Sequence, residues 1–266
     1  MKVRYNCSSQ SGKNKRVLDF AKRCFGPEIE KRMEYLLTSF PDAPNVFSIY
    51  FDIFKPILDK SKKVLDAGCG RGEYTWFIKA KEVVGVDAKK KELEIARIRA
   101  PRKISYIYAD LDNIPFPRDS YDTILCYMVM EHLQYPQKTI KEFSRILSSS
   151  GNLLILTPNI YNPFYFINKH FPQVLLHFLK QRLKIMENET DLYYQANTYS
   201  TLHKLLQDEG FSAIKWYYCL DTPITTRTSL YLFFWKLINS LSRLPFFSWL
   251  SPQIAVVARR KARKNG

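Results

Sequence analysis

The chain has 266 residues, 46% of them apolar, enough for a real core and for one globular domain with insertions. Its 41 basic and 25 acidic side chains leave a net charge of +16, which points to a polyanionic neighbour, either nucleic acid or an anionic membrane surface, and says nothing about fold. Five scattered cysteines (Cys7, Cys24, Cys69, Cys126, Cys219) lack Cys-x-x-Cys spacing, which argues against a zinc site or disulfide framework and for reduced thiols in a cytosolic compartment.

The first residues carry no apolar run of a secretory signal, and no uncharged stretch reaches the roughly 18–20 residues of a membrane-spanning helix. Residues 1–60 read as a basic N-terminal helical extension, with Pro41 to Pro44 breaking two patterns, Glu28 to Phe40 and Asn45 to Leu58. From Lys63 the pattern predicts strands near 63–67, 83–87, 104–109, 122–128 and 152–157, alternating with helices near 73–80, 89–98 and 136–147. Such alternation means crossover units and a parallel sheet covered on both faces. An aromatic-rich insertion over 160–198 follows, then a helix near Ser200 to Asp208 and a strand at Phe211 to Cys219. A second insertion at 221–252, a strand at Gln253 to Ala258 and a basic tail at 260–266 complete the chain.

Val64 to Thr75 is the most informative stretch. Gly68, Gly70 and Gly72 fall directly after an apolar run and before a helical pattern, so a strand, a glycine turn and a helix N-terminus would cradle an anionic group with unpaired N–H groups. A dinucleotide fingerprint needs a third glycine where Glu73 stands. Asp66, the Gly-x-Gly-x-Gly run and the acid at Asp87, ending the next apolar run, instead resemble motif I and the ribose-binding acid of class I S-adenosylmethionine-dependent methyltransferases of the type 11, quinone-biosynthesis-like group. An ordinary loop and an ordinary helix cap are the alternatives; the flanking strand, helix and acid favour the cofactor.

The resemblance covers about Lys62 to Leu220 and implies an α/β fold with a Rossmann-like seven-stranded sheet of order 3-2-1-4-5-7-6, helices on both faces and both insertions over the active-site edge. Residues 61–259 would form the methyltransferase domain. It implies S-adenosyl-L-methionine as cofactor, held by Asp66, Ala67, Gly68, Cys69, Gly70 and Arg71, by Asp87 and Ala88, by Asp110 and Leu111 at the adenine-binding turn, and by Tyr127.

Met130-Glu131-His132-Leu133 resembles the Glu-His pair of the small-molecule members, with His132 as a base for a hydroxyl or as a helix cap. Met128 stands where some relatives place a third metal-site residue, so no metal is expected. His170, His177 and His203 read as packing or surface residues. The fourth strand ends without the Asn/Asp-Pro-Pro-aromatic turn of base-amino methylation, and Cys126 lacks the context of a C5 nucleophile.

In the second insertion Leu230, Phe233, Phe234, Leu237, Ile238 and Leu241 recur at helical spacing, with Lys236, Asn239, Ser240 and Arg243 opposite. That pattern fits a helix lying in a membrane interface, or a lid with its apolar face on the domain. Together these observations predict a cytoplasmic methyltransferase, peripheral on the inner face of the membrane or free of it, acting on a small-molecule, saccharide or lipid-linked hydroxyl. RNA methylation and a non-catalytic cofactor-binding scaffold are the alternatives, and oligomeric state is not encoded in any pattern found.

Overall fold

The computed structural model describes residues 10–171, 191–223 and 229–262. Cys7, His177 and part of both insertions and of the basic tail lie outside the described residues. In chain order the helices are α1 (Gln10–Phe25), α2 (Pro27–Ser39), α3 (Val46–Ser48), a π-helical turn (Ile49–Phe54), α4 (Lys55–Lys60), α5 (Lys90–Arg99), α6 (Pro136–Ile146), α7 (Pro163–His170), α8 (Tyr199–Asp208) and α9 (Ser229–Ser242). The strands are β1 (Lys63–Ala67), β2 (Glu82–Asp87), β3 (Ser105–Tyr108), β4 (Tyr121–Tyr127), β5 (Leu147–Pro158), β6 (Phe211–Cys219) and β7 (Gln253–Arg260), in the sheet order β3-β2-β1-β4-β5-β7-β6 expected from the sequence.

The chain packs as two compact units. Among the described residues the first gathers 10–49, 158–171, 191–192, 217–223 and 229–254, and the second 50–157, 193–216 and 255–262. The basic helical extension expected over 1–60 is therefore shared between them, dividing after Ile49.

In the second unit, β1 pairs in parallel with β2 and β4, β2 with β3, and β4 with β5. Alternate residues of these strands (Leu65, Ala67, Val84, Val86, Ile124, Cys126, Leu153, Ile155) share one core with Ile140, Phe143 and Ile146 of α6 and Leu202 and Leu206 of α8. Leu93 and Ala96 of α5 instead form a separate cluster with Cys69 and Tyr106. Residues between the first set, such as Val64, Leu125 and Leu154, are also fully buried, as a sheet covered on both faces requires. Helix α6 starts at Pro136, whose missing N–H costs nothing at a first helical position, and buries residues 136, 139, 140, 143 and 146 at the spacing of one helical face.

One expected helix is absent. Over 73–80 the chain forms only the 3-10 turn Thr75–Phe77. Its side chains are committed to tertiary partners: Thr75 Oγ1 donates to Asp66, and Trp76 Nε1 donates to Tyr106 Oη at 3.1 Å. A β-branched and two aromatic residues in a row have weak helix propensity, so these bonds decide the local conformation.

In the first unit, Phe20 of α1 meets Phe47 with ring centroids 5.5 Å apart, and Met33, Leu36, Leu37 and Phe40 complete the core beneath α2. Helix α2 begins at Pro27 after Gly26 (φ +87°), with Glu28 and Glu30 in the first turn complementing the helix dipole. Asn159 Nδ2 donates to the carbonyls of Trp249 and Ser251, and Asn162 Nδ2 to that of Leu250. Buried Asp221 accepts from Gln253 Nε2 at 2.7 Å and Tyr165 Oη at 3.1 Å, and burial raises its carboxyl above the ordinary range.

Helix α9 departs from the expected division of its faces. Trp235 is buried against Tyr35 and Phe40, with centroids 5.8 and 5.6 Å away, and Asn239 and Ser242 are buried one and two turns on. Asn239, expected opposite the apolar stripe, donates through Nδ2 to the carbonyl of Trp235 at 2.7 Å, while its buried Oδ1 has no partner among the described residues. The apolar stripe Leu230, Phe233, Phe234 and Leu237 is exposed. No helix of the described residues is long and apolar enough to cross a membrane.

Candidate active site

Parallel strands that leave the sheet at one edge bring their following loops together there. In the second unit that edge carries the ends of β1, β2, β3 and β4, and the registers Ala67↔Val86 and Asp87↔Tyr108 set them level.

Gly68, Gly70 and Gly72 have φ of +77°, +51° and +81°, a region that only glycine enters without strain. A Cβ on Gly68 would collide with the Val129 methyls, and one on Gly72 would lie 2.6 Å from Tyr106 Oη. At Gly70 nothing stands within 4 Å, so a ligand can approach the backbone there. The N–H groups of this loop are not free, contrary to the anion-cradle expectation. Those of Gly68 and Cys69 both donate to Val86 O, that of Gly70 to Asp87 Oδ2 and that of Gly72 to Cys69 O. With no α-helix following, the loop lacks the means of holding a phosphate and retains room and carboxylates for a ribose. A cofactor with a ribose and no phosphate fits this cradle.

Asp87, half-buried at the end of β2, accepts from Gly70 and, through Oδ1, from Lys89 N at 2.8 Å; each oxygen keeps a second lone pair for a hydroxyl. Asp66 is buried at 3% exposure, and that burial pushes its carboxyl up to about 7 against the pull of Thr75, with the Asp87 and Glu73 charges adding to the rise. Ala67 and Cys69 are buried, whereas Arg71 is exposed and bonds Glu92 at 2.7 Å. Ala88 is exposed beside Asp87, and Asp110 is exposed in a turn closed on Asp112 N, with Leu111 buried after it. Ala109 N donates to Asp87 O at 3.3 Å, which joins the adenine-turn candidates to the ribose candidate. Tyr127, at the end of β4, lies 4.0 Å from Tyr74 by ring centroid, and Tyr50 Oη anchors the Tyr74 carbonyl at 2.8 Å.

Beyond Tyr127 the chain turns at Met128, whose φ of +58° is unusual for a residue with a side chain. The turn lays Val129 on Gly68 and leads into the 3-10 turn Met130–His132. Glu131 is buried at 3% exposure; its Oε2 accepts from Thr157 Oγ1 at 3.1 Å, and Asn197 Nδ2 donates to the same hydroxyl at 2.6 Å. His132 is half-buried, with Nε2 4.0 Å from Glu131 Oε1. The backbone N–H groups of Tyr193 and Tyr194 both donate to Glu131 O. Among the described residues no group of three His, Cys, Asp or Glu could hold a metal ion.

Sequence reasoning missed Tyr50, Tyr74, Thr157 and Asn197. Only Thr157 carried a signal, its place at the end of a parallel strand. His170 and His203 lie on rings, against Phe166 and Tyr199 respectively.

Residues 65–155 match a family model described as a methyltransferase domain. A probable S-adenosylmethionine-dependent methyltransferase of Mycobacterium tuberculosis is 35% identical over 37% of this chain and 36% of its own length. A ubiquinone biosynthesis O-methyltransferase of Vibrio atlanticus is 33% identical over 37% of this chain and 44% of its own. The chain thus spans less than half the length of these curated relatives. A crystal structure of a SAM-dependent methyltransferase from Archaeoglobus fulgidus shares the fold, with a TM-score of 0.54 at 17% identity over 85% of this chain and 99% of that one. The glycine turn, the acids Asp66 and Asp87 beside it and these likenesses agree: residues 65–155 carry a methyltransferase domain, set in a fold shared with S-adenosylmethionine-dependent methyltransferases.

Proposed function

We propose that the protein methylates a hydroxyl oxygen of a small-molecule or lipid-linked acceptor, with His132 as the base. The observation that carries this reading is the buried Glu131 carboxylate, held by Thr157 beside the half-buried imidazole of His132. A carboxylate at that position stabilises the imidazolium formed when the ring nitrogen turned away from Glu131 takes the hydroxyl proton. Bound S-adenosylmethionine supplies an electrophilic methyl group on a sulfonium sulfur. Asp87 and the backbone at Gly70 would hold its ribose, Asp110 and Leu111 its adenine, and Asp66, Ala67, Gly68, Cys69, Arg71, Ala88 and Tyr127 would line the rest. The relative named as a ubiquinone biosynthesis O-methyltransferase supports an oxygen acceptor. The buried thiols of Cys24, Cys69, Cys126 and Cys219 suit a reducing, cytoplasmic setting.

The test is methyl transfer from radiolabelled S-adenosylmethionine to catechol and to a hydroxylated, prenylated quinol, with calorimetry of cofactor binding alongside. Transfer to either acceptor that falls away in His132→Ala supports the reading. Cofactor binding without transfer to either acceptor favours the non-catalytic scaffold. Transfer to RNA alone favours the nucleic-acid reading suggested by the +16 charge.

A further inference from the structure

Helix α9 is amphipathic in reverse: its Asn and Ser face the first unit, and its Leu and Phe face outward. Leu230 is 67% exposed and Phe233 61%, while Trp235, Asn239 and Ser242 are buried. The 3-10 segment Pro245–Leu250 continues the apolar surface with Phe246, 87% exposed, and Trp249. Helix α7 joins it through the ring contact of Phe164 with Tyr231 at 5.2 Å, and the turn before α7 through that of Tyr161 with Trp249 at 6.4 Å. Single exposed apolar residues are ordinary, but a patch built by three neighbouring elements marks a surface that something covers.

Charge identifies the occupant. From Ser229 to Leu250 the sequence has two cations, Lys236 and Arg243, and no Asp or Glu. Both stand on or directly after α9 over the rings of Tyr35 and Phe40, so their stems lie along apolar surface. Helix α7 adds Lys169 and no acid. A second copy of the chain would set cation against cation across such a face, whereas a leaflet with anionic headgroups offers apolar depth and negative charge together. Trp249 and Tyr161 have the amphipathic rings that settle at headgroup level.

We infer that the face formed by α9, the turn after it and α7 docks in the plane of an anionic lipid leaflet. The helix has 14 residues, too few to cross a bilayer. The inference deepens the proposed function by naming the surface where a lipid-linked acceptor would be met.

The experiment is flotation of the full chain with phosphatidylcholine vesicles, with and without phosphatidylglycerol. Wild type is expected to float with the anionic vesicles and to show blue-shifted tryptophan emission. Phe233→Glu/Phe246→Glu is expected to lower the partition coefficient at least about tenfold, because each ring that stays in water forfeits its transfer energy. Lys236→Gln/Arg243→Gln is expected to weaken the dependence on phosphatidylglycerol; thermal melts confirm that both variants fold. Flotation unchanged in both variants, or wild type left in solution, overturns the inference. So does a dimer, seen by sedimentation equilibrium, that Phe233→Glu/Phe246→Glu dissociates. Cofactor calorimetry on the same samples separates the two readings. Wild type that binds the cofactor but stays in solution fails the docking surface alone, and wild type that floats without cofactor affinity fails the methyltransferase reading alone.

Discussion

Asp87 Oδ2 accepts the amide hydrogen of Gly70 at 2.8 Å, so the acid at the end of β2 fixes the glycine turn at the end of β1. A single carboxylate thereby shapes the loop proposed to hold the ribose. Asp87→Ala is expected to weaken S-adenosylmethionine binding roughly 10- to 100-fold, the worth of hydrogen bonds to a charged group, with the domain still folded. Isothermal calorimetry and a melting curve decide it: unchanged affinity removes Asp87 from the cofactor site.

Gly68 and Gly70 should respond differently to the same substitution. Gly70→Ala meets open space and costs about 1–2 kcal/mol for the left-handed backbone alone. Gly68→Ala adds a collision with Val129, about 1–3 kcal/mol more. Urea unfolding of both, and of Gly68→Ala/Val129→Ala, tests this; the second substitution should recover part of the overpacking cost, and equal losses for the two single variants would count against the contact.

Asp66 gives the domain a distinct pH dependence. Its carboxyl is buried and holds its proton up to about 7, against an ordinary 3.8 in the unfolded chain. Its stabilising contribution is therefore fully present below pH 3.8 and is lost as pH rises to about 7, above which the buried charge opposes folding. Asp66→Asn is expected to match wild type near pH 4 and to exceed it at pH 8 by on the order of 3 kcal/mol. Chemical denaturation at the two pH values measures the difference, and an advantage at pH 4 instead would reverse the assignment.

His132→Ala is expected to lower turnover on a hydroxyl acceptor by about 10²-fold or more while leaving cofactor affinity alone. Thr157→Val removes the donor to Glu131 and should produce a smaller loss of the same kind, with an altered pH–rate profile. Full activity in both variants would end the base assignment.

The strands were readable because both faces of this sheet are covered, which writes runs such as Val83-Val84 and Leu153-Leu154-Ile155-Leu156 into the chain. The start of β5 at Leu147 was not, since Ser148 to Ser150 hide it and Ser150 takes a φ of +64°. Periodicity likewise suggested a helix after Gly72, where Thr75 and Trp76 are held by Asp66 and Tyr106 from other strands. For α9 the stripe was visible but its direction was not, because a helical wheel does not say which side Tyr35 and Phe40 will cover. Thr157 and Asn197 lie 26 and 66 positions from Glu131 along the chain, and no local spacing relates them.

The left-handed backbone at Met128 has a practical consequence. Methionine there holds about 1–2 kcal/mol of conformational strain that glycine would relieve, so Met128→Gly offers itself to anyone seeking a hardier protein. The same glycine would widen the range of directions the chain can take after β4, and with it the orientations open to the imidazole of His132, four residues further on. Thermal tolerance and aim are set against each other at one residue, and raising the first is expected to blur the second.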